Sequence, residues 1–366
     1  MTKIKSIFGA YSERLQVVID KSADRFAPTF YQKYFGWAPA QQSLTFTSAI
    51  GRSRIEAAAS VVNRDSETPL RSRQALEKLT GEIPAIKEMF KMAESDYRDF
   101  LTMQALNVDD ATKRAQLLDF LYGDVKKAGD SAQKRLDIMA LEAISTGKIS
   151  LDINNNPDGL VLANPVDLLM PDSNKKQGSV SWGIPATAKP ITDIETVVKA
   201  GKNKGVSFAK ILMSDDLFMK FKATKEVTDT LTAYYYGPKP GGSFNPIAVS
   251  TLDNINTFLT ANRLPVIEIV DEVIGIEKDG VINTLRPFNA DTASFIPAGQ
   301  LGTIKNAIAI EQMRPVDKVT YASYNRALIS KWSENEPFGE WTKVELNAFP
   351  SLEAVDSIFL LEAVFS

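Results

Sequence analysis

Residues 181–195 read SWGIPATAKPITDIE, and the placing of this stretch decides how the whole chain divides. It holds Trp182, Pro185 and Pro190, followed by Asp193, where a helix can begin. Each proline limits φ and biases the residue before it toward extended geometry. No side chain in the stretch forms a catalytic pattern. It therefore reads as a crossing between two folded regions, with Trp182 buried and the prolines setting the exit angle.

Downstream of the crossing, residues 191–310 read as a compact α/β unit. A helix Asp193–Ala200 leads to a strand Phe208–Met213, then to a helix capped by Ser214 with Asp215 and Asp216 in its first turn. A helix Lys225–Tyr236 stops at Gly237 and Pro238, and the loop PKPGG that follows is stiff at one end and permissive at the other. Another helix spans Leu252–Ala261. Strands Val266–Val270 and Val273–Glu277 lead to a hairpin turn at Lys278, Asp279 and Gly280, then to Val281–Leu285. FIPAGQLGTIKNA, residues 295–307, closes the unit. AGKNKG and GTIKNA lack phosphate-loop spacing, and no GxGxxG occurs. Tyr234, Tyr235 and Tyr236 on one helix point three ways, which divides them between core and surface and does not make a base-stacking platform.

Upstream, the strongest signal is helical. Ile86, Met89, Phe90, Ala93, Tyr97, Phe100 and Leu101 follow Pro84 at helical spacing, which predicts a helix from Pro84 to the break at Asn107. Asp109 and Asp110 then cap a second helix, Asp110–Thr146, with Gly147 as its stop. Leu117, Leu118, Leu121, Val125, Ala128, Ala132, Leu136, Met139, Ala143 and Ile144 form its stripe. The rod is about 50 Å long, with Gly123 and Gly129 marking bends. Its spacing wanders from strict heptads, which favours a spine packed on a sheet over a coiled coil. Between spine and crossing, LDINNNPDGLVLANP is turn-rich, while Val161, Val166 and SVSWGIPA read as strands. DINNNPDG fails as a calcium loop: Pro157 replaces the glycine and Ala163 the bidentate glutamate.

The first 82 residues suit an isolated molecule poorly. A short helix is predicted at Ser12–Ser22 on Leu15, Val18 and Ile19. FAPTFYQKYFGWAPA then places six aromatics in fifteen residues, Phe30, Tyr31, Tyr34, Phe35 and Trp37 among them. Such an arm either folds back on its own core or lies on a neighbouring subunit, and on residues alone both readings stand. Strands follow at Phe46–Ile50 and Ala59–Val62. Beyond them Arg64, Asp65, Glu67, Arg71, Arg73, Glu77 and Lys78 alternate in sign with little core-forming material. A two-stranded projection does not stabilise itself in water, so an ordered one needs a surface to lie on. At the other end, residues 311–366 read as mixed structure closing in an apolar strand, Asp356–Phe365, tied into a sheet.

Composition excludes most chemistry. Of the 366 residues 44% are hydrophobic and 24% charged, an ordinary globular balance. There is no cysteine and no histidine, so disulfides, thiolate metal sites and a Ser-His-Asp triad cannot be built. A net charge of −3 and a pI near 5.4 argue against direct DNA gripping. The N-terminus lacks the apolar run of a signal peptide and no segment has membrane-spanning length, so synthesis in the cytosol is expected. No catalytic residue, cofactor or metal is expected.

Three stretches together resemble a known family. They are NRDSETPLRSRQALEKLTGEIPAIKEMF (63–90), VSWGIPATAKPITDIETVVKAGKNKGVSFAKILMSDDLFMKF (180–221), and FIPAGQLGTIKNAIAIEQMRP (295–315) with EPFGEWTKVELNAFPSLEAVDSIFLLEAV (336–364). In order and spacing they resemble the major capsid proteins of tailed bacteriophages, in the lambda-E-like branch of the HK97 fold, from about residue 45 to the end. W-x-x-P-x-T at Trp182 and KILMSDDLFMKF are the most specific parts.

The resemblance implies an α+β, HK97-like capsid fold. Its parts are an N-terminal arm (1–45), an extended loop (46–82), a peripheral domain with the spine helix and a sheet (83–187), an axial domain (188–310) and a C-terminal return to the peripheral domain (311–366). It implies assembly without chemistry: copies of the chain in pentamers and hexamers form the head of a virion around double-stranded DNA, without sequence-specific contacts or a membrane. Assembly would take place in the host cytoplasm, with scaffolding, portal and decoration proteins as further partners. Intersubunit contacts are expected from Arg64, Asp65, Glu67, Arg71 and Arg73, from Phe30, Tyr31, Tyr34, Phe35 and Trp37, and from Pro238 and Lys239. Some members crosslink through lysine and asparagine; here the loop offers only Lys78 near its base, and no such bond is expected. Two other readings are an encapsulin-like nanocompartment shell and a carboxylate-dependent enzyme.

Overall fold

The computed structural model of the chain describes residues 15, 16, 19, 26–50, 77–105, 110–237, 250–336 and 338–365. The expected strand Ala59–Val62 lies outside them, as does the helix Ser12–Ser22 apart from Leu15, Gln16 and Ile19, which are helical.

The spine sets the first core. Helix α1 covers Glu94–Ala105 and α2 covers Asp110–Thr146, a 37-residue rod of about 55 Å. Gly147 follows at φ 72°, the left-handed stop that a helix C-terminus favours. Val125, Ala128, Ala132, Leu136, Met139, Ala140, Ala143 and Ile144 follow helical spacing and are all buried, so from Val125 onward one stripe of α2 is covered. The side chains of Leu117, Leu118 and Leu121 lie outside the described residues.

A six-stranded sheet covers that stripe. It contains β1 (Phe35–Trp37), β4 (Ala85–Ala93), β13 (Gly302–Ala307), β14 (Thr320–Tyr324), β15 (Ala327–Asn335) and β16 (Phe338–Leu352). The fifteen-residue β16 organises it. One edge of β16 pairs antiparallel with β15, and the other takes β4 and then β13. Val344, Leu346 and Ala348 alternate along β16 and share the hydrophobic cluster of α2.

Residues 85–93 correct the sequence reading. They form a strand in register with Gly339–Asn347, not the first turns of a helix. Ile86, Phe90 and Met92 are also compatible with period two, and the open edge of β16 supplies a ladder that an isolated helix start cannot match. The helix begins only at Glu94, where Asp96 Oδ2 accepts the Ala93 N–H at 2.8 Å.

A second core surrounds a five-stranded sheet in the order β7 (Lys175–Gln177), β17 (Phe359–Glu362), β12 (Thr292–Ile296), β8 (Lys210–Met213) and β9 (Val266–Ile269). Helices α3 (Pro190–Asn203), α4 (Asp215–Ala223), α5 (Lys225–Tyr236) and α6 (Leu252–Ala261) pack with it. β8 and β9 are parallel, and α4, α5 and α6 lie in the connection between them. Ser214 caps α4 by accepting the Leu217 N–H, and Thr251 caps α6 through Asn254. The FIPAGQLGTIKNA segment does not close this unit. β12 belongs to it, but β13 crosses to the six-stranded sheet, while β17 from the C-terminal end pairs with β12 and β7.

Residues 181–189 are a run of turns leading into α3 at Pro190, not a strand as SVSWGIPA suggested. Successive reversals at Ile184, Thr187 and Ala188 use its backbone donors locally. Trp182 is fully buried against Phe221; its N–H donates to the Ala363 carbonyl at 2.7 Å and its indole Nε1 to Asp193 Oδ2 at 3.0 Å. Trp182 thus ties the crossing to the first turn of α3 through its indole and to the segment after β17 through its backbone N–H.

Candidate intersubunit surface

The aromatic arm is where two faces competed, and its own body wins. Phe30, Tyr31, Tyr34 and Phe35 are all at most 6% exposed, and Trp37 is half-buried. A short 3-10 turn, Tyr31–Lys33, leads into β1, which runs parallel to β13. Tyr31 sits at a polar junction inside the core. Its hydroxyl donates to Gln133 Oε1 of α2 at 2.6 Å and accepts from Asn325 Nδ2 at 2.8 Å; its backbone N–H donates to Asp137 Oδ1 at 2.9 Å. Asn325, at φ 44° in the turn between β14 and β15, also accepts Trp37 Nε1 at 3.2 Å. Arm, spine and sheet therefore meet at three side chains. Burial pushes the Tyr31 phenol up to about 12. Burial, then the Glu268 carboxylate, pushes Tyr34 upward. Phe30, Tyr31, Tyr34 and Phe35 thus fill the core of their own chain, the fold-back alternative for the arm, and burying one such side chain is worth about 1.5–3 kcal/mol.

The next segment is held differently. β2 (Thr45–Ile50) and β3 (Glu77–Glu82) form a two-stranded sheet that joins no other sheet among the described residues. Its root rests on the body: Phe46 stacks on Phe349 at 5.5 Å, and Ser48 Oγ donates to Glu353 Oε1 at 3.1 Å. Arg64, Asp65, Glu67, Arg71 and Arg73 lie between the two strands and outside the described residues, as do Pro238 and Lys239. The latter pair follows α5, whose three tyrosines are all exposed, so the expected division between core and surface does not hold. Tyr235 donates to the Asn254 carbonyl at 3.0 Å and Tyr234 stands edge-on to Phe258, so both brace α5 on α6.

The chemistry available elsewhere is structural. Asp152 of DINNNPDG accepts the backbone N–H groups of Asn154 and Asn155, closing its own turn. An open cleft of about 460 Å³ between the arm and the β12–β13 connection carries Lys33 and Lys210, but no carboxylate lines it. Among the described residues no cluster of potential metal ligands occurs, and no helix is long and apolar enough to cross a membrane. Lys331 on β15 is buried; desolvation lowers it to about 8 against the opposing pull of Glu340 and Asp124.

The sequence matches the family model for phage major capsid protein E over residues 22–362. The chain belongs to that family. The capsid protein's fold is shared with two solved structures. A crystal structure described as a prophage capsid protein of E. coli CFT073 superposes with a TM-score of 0.55 at 15% identity, covering 96% of each chain. A phage-related protein from Bordetella bronchiseptica RB50 superposes at 0.50 and 11% identity, covering 95% of this chain and 96% of that one. No curated protein matches the chain. The architecture is HK97-like, and the protein is a structural subunit of a phage head, located in the virion.

For a shell subunit the informative surface is what the body leaves uncovered. The hairpin β10 (Ile274–Lys278) and β11 (Val281–Leu285) packs Ile274 and Ile276 on Ile138 of the spine, while Val281 and Ile282 are 61% and 69% exposed. Its turn at Asp279 and Gly280, both at positive φ, is the tight type that twisted hairpins favour. The Tyr31–Gln133–Asn325 junction and the Glu353 contact were not read from sequence. Their members lie 102 to 305 residues apart and share no spacing that a motif could carry.

Proposed function

We propose that copies of this capsid protein close into an icosahedral or prolate head around double-stranded DNA, as pentamers and hexamers assembled in the host cytoplasm. The carrying observation is the β2–β3 ribbon, which joins no larger sheet among the described residues and is braced on the body only near its root. Two strands alone are marginal in water, so a neighbouring copy is the natural support for what lies beyond. Arg64, Asp65, Glu67, Arg71 and Arg73 then set register between copies, and Pro238 and Lys239 meet around a capsomer axis. In this reading residues 1–45 are the arm, 46–82 the extended loop, 83–187 and 311–366 the peripheral domain, and 188–310 the axial domain. Repetition around a closed shell turns modest contacts into a lasting assembly. A net charge of −3 suits a container that does not bind its contents tightly. The role includes no catalysis; scaffolding, portal and decoration proteins complete the particle.

Electron microscopy of the expressed protein, with and without its neighbouring head genes, combined with nuclease treatment of particles from infected cells, tests this. Closed shells and nuclease-protected DNA are expected. A protein that stays monomeric under all assembly conditions, or shells that never protect DNA, would contradict it.

A further inference from the structure

Glu353 follows the end of β16, and the loop before β13 holds its backbone: the N–H groups of Glu353 and Ala354 both donate to the Leu301 carbonyl, at 3.0 and 2.8 Å. Its carboxylate oxygen Oε1 gathers three donors. Thr303 Oγ1 approaches at 2.7 Å, Lys305 Nζ at 2.9 Å and Ser48 Oγ at 3.1 Å. Thr303 and Lys305 alternate on one face of β13, whereas Ser48 belongs to β2 and is 2% exposed. Phe46, two residues earlier and so on the same face of β2, stacks on Phe349. Leu79 of β3, paired with Ser48, is buried in the same cluster and adds to this apolar contact. The hydrogen bond at Ser48 is directional and stands closest to the point where the described part of β2 ends.

We propose that Glu353 is a positioning residue for shell assembly: one carboxylate oxygen clamps the root of the β2–β3 ribbon to β13 and so sets the line along which the ribbon leaves the body. The proposal rests on the reading above that the ribbon reaches a neighbouring copy. The clamp has a charge-dependent half, Lys305, and a neutral half, Ser48 and Thr303. Burial works against the ionised carboxylate, but the donors from Thr303, Lys305 and Ser48 outweigh it and hold Glu353 below the ordinary glutamate range. The clamp is therefore fully formed at neutral pH and opens only as acid protonates Glu353.

Hydrogen exchange on the unassembled full-length subunit tests the clamp, and particle yield tests its consequence. Ser48→Ala and Glu353→Ala each raise exchange across residues 77–82 by about tenfold, while residues 347–352 in β16 keep wild-type protection. Thr303→Ala leaves the Ser48 bond in place and changes the ribbon by less than about threefold. Glu353→Gln is neutral like the protonated acid, so at neutral pH it shows the loosened ribbon exchange that the wild type reaches only in acid, and it shows no further acid-dependent opening after correction for intrinsic exchange. Particle yield falls in Ser48→Ala although the subunit remains folded. Unchanged ribbon exchange in Ser48→Ala and Glu353→Ala overturns the clamp; so does equal loosening of β16, which would make Glu353 a general stability residue. A loosened ribbon with full particle yield overturns the assembly role. The neighbour-contact reading is tested separately by R71E/R73E: full yield there removes that reading, while the exchange experiment still decides the clamp.

Discussion

The arm at residues 26–41 and the β2–β3 ribbon are nearly consecutive in the chain, yet the arm joins the large sheet and the ribbon does not. The arm is inside. Its aromatics complete the spine's core, β1 adds to the sheet beside β13, and Gln41 continues the ladder toward Ala307. The ribbon forms a sheet of its own, fastened along one face by Phe46 and Leu79 in the spine's core and by the Ser48 hydrogen bond to Glu353. Composition explains the difference. The arm carries large apolar side chains that gain from burial wherever a cavity of the right shape exists. Residues 63–78 carry alternating charges, whose burial brings little apolar gain and much desolvation cost.

Tyr31→Ala breaks this contrast most strongly. It removes a fully buried ring and the hydroxyl joining Gln133 to Asn325, and an expected loss of about 3–5 kcal/mol follows in denaturant unfolding of the subunit. A loss under about 1 kcal/mol would mean that the arm is not part of the core. Second comes a test that addresses the body alone. Lys331 binds its proton less tightly folded, at about 8, than unfolded, at its ordinary 10.5, so between those values the unfolded chain carries more protons and stability rises with pH. The rise is on the order of 2–3 kcal/mol, and Lys331→Met flattens it. Urea unfolding of both proteins from pH 7.5 to 10, about the span of the shift, checks the sign. Tyr31→Phe keeps the ring and is expected to cost about 1–2 kcal/mol, separating the polar junction from the packing. Lys33→Ala lies at the bottom of the scale. Lys33 is 57% exposed and stands 3.9 Å from Glu268, so the thermal midpoint should move by the equivalent of less than about 0.5 kcal/mol.

Long local patterns were legible in the sequence; pairings across the chain were not. α2 matches its expected span because caps, stripe and a terminal glycine all agree over ten turns. α5, α6 and the turn at Asp279 and Gly280 were legible for the same reason. β4 was misread because Ile86, Phe90 and Met92 satisfy both periods and only the distant edge of β16 decides between them. The Trp182 stretch was misread as a strand because a buried tryptophan beside β-branched and apolar residues gives no local sign that its backbone bonds close into turns. β13 and β17 exchange sheets for a similar reason, since strand propensity does not name a partner. For the arm, the aromatics that mark an interface are also those that fill a core. Their density signalled burial without saying against which copy.

The central claim is that each subunit carries its own arm and reaches its neighbours by the ribbon. Electron cryomicroscopy of the assembled head, at a resolution that traces side chains, tests it most directly. The claim predicts continuous density from residue 26 to β2 within one subunit, Tyr31 beside the Gln133 of the same chain, and the ribbon lying on an adjacent copy. Density that carries Tyr31 across to another subunit's Gln133, or a ribbon folded back along its own body, would contradict it.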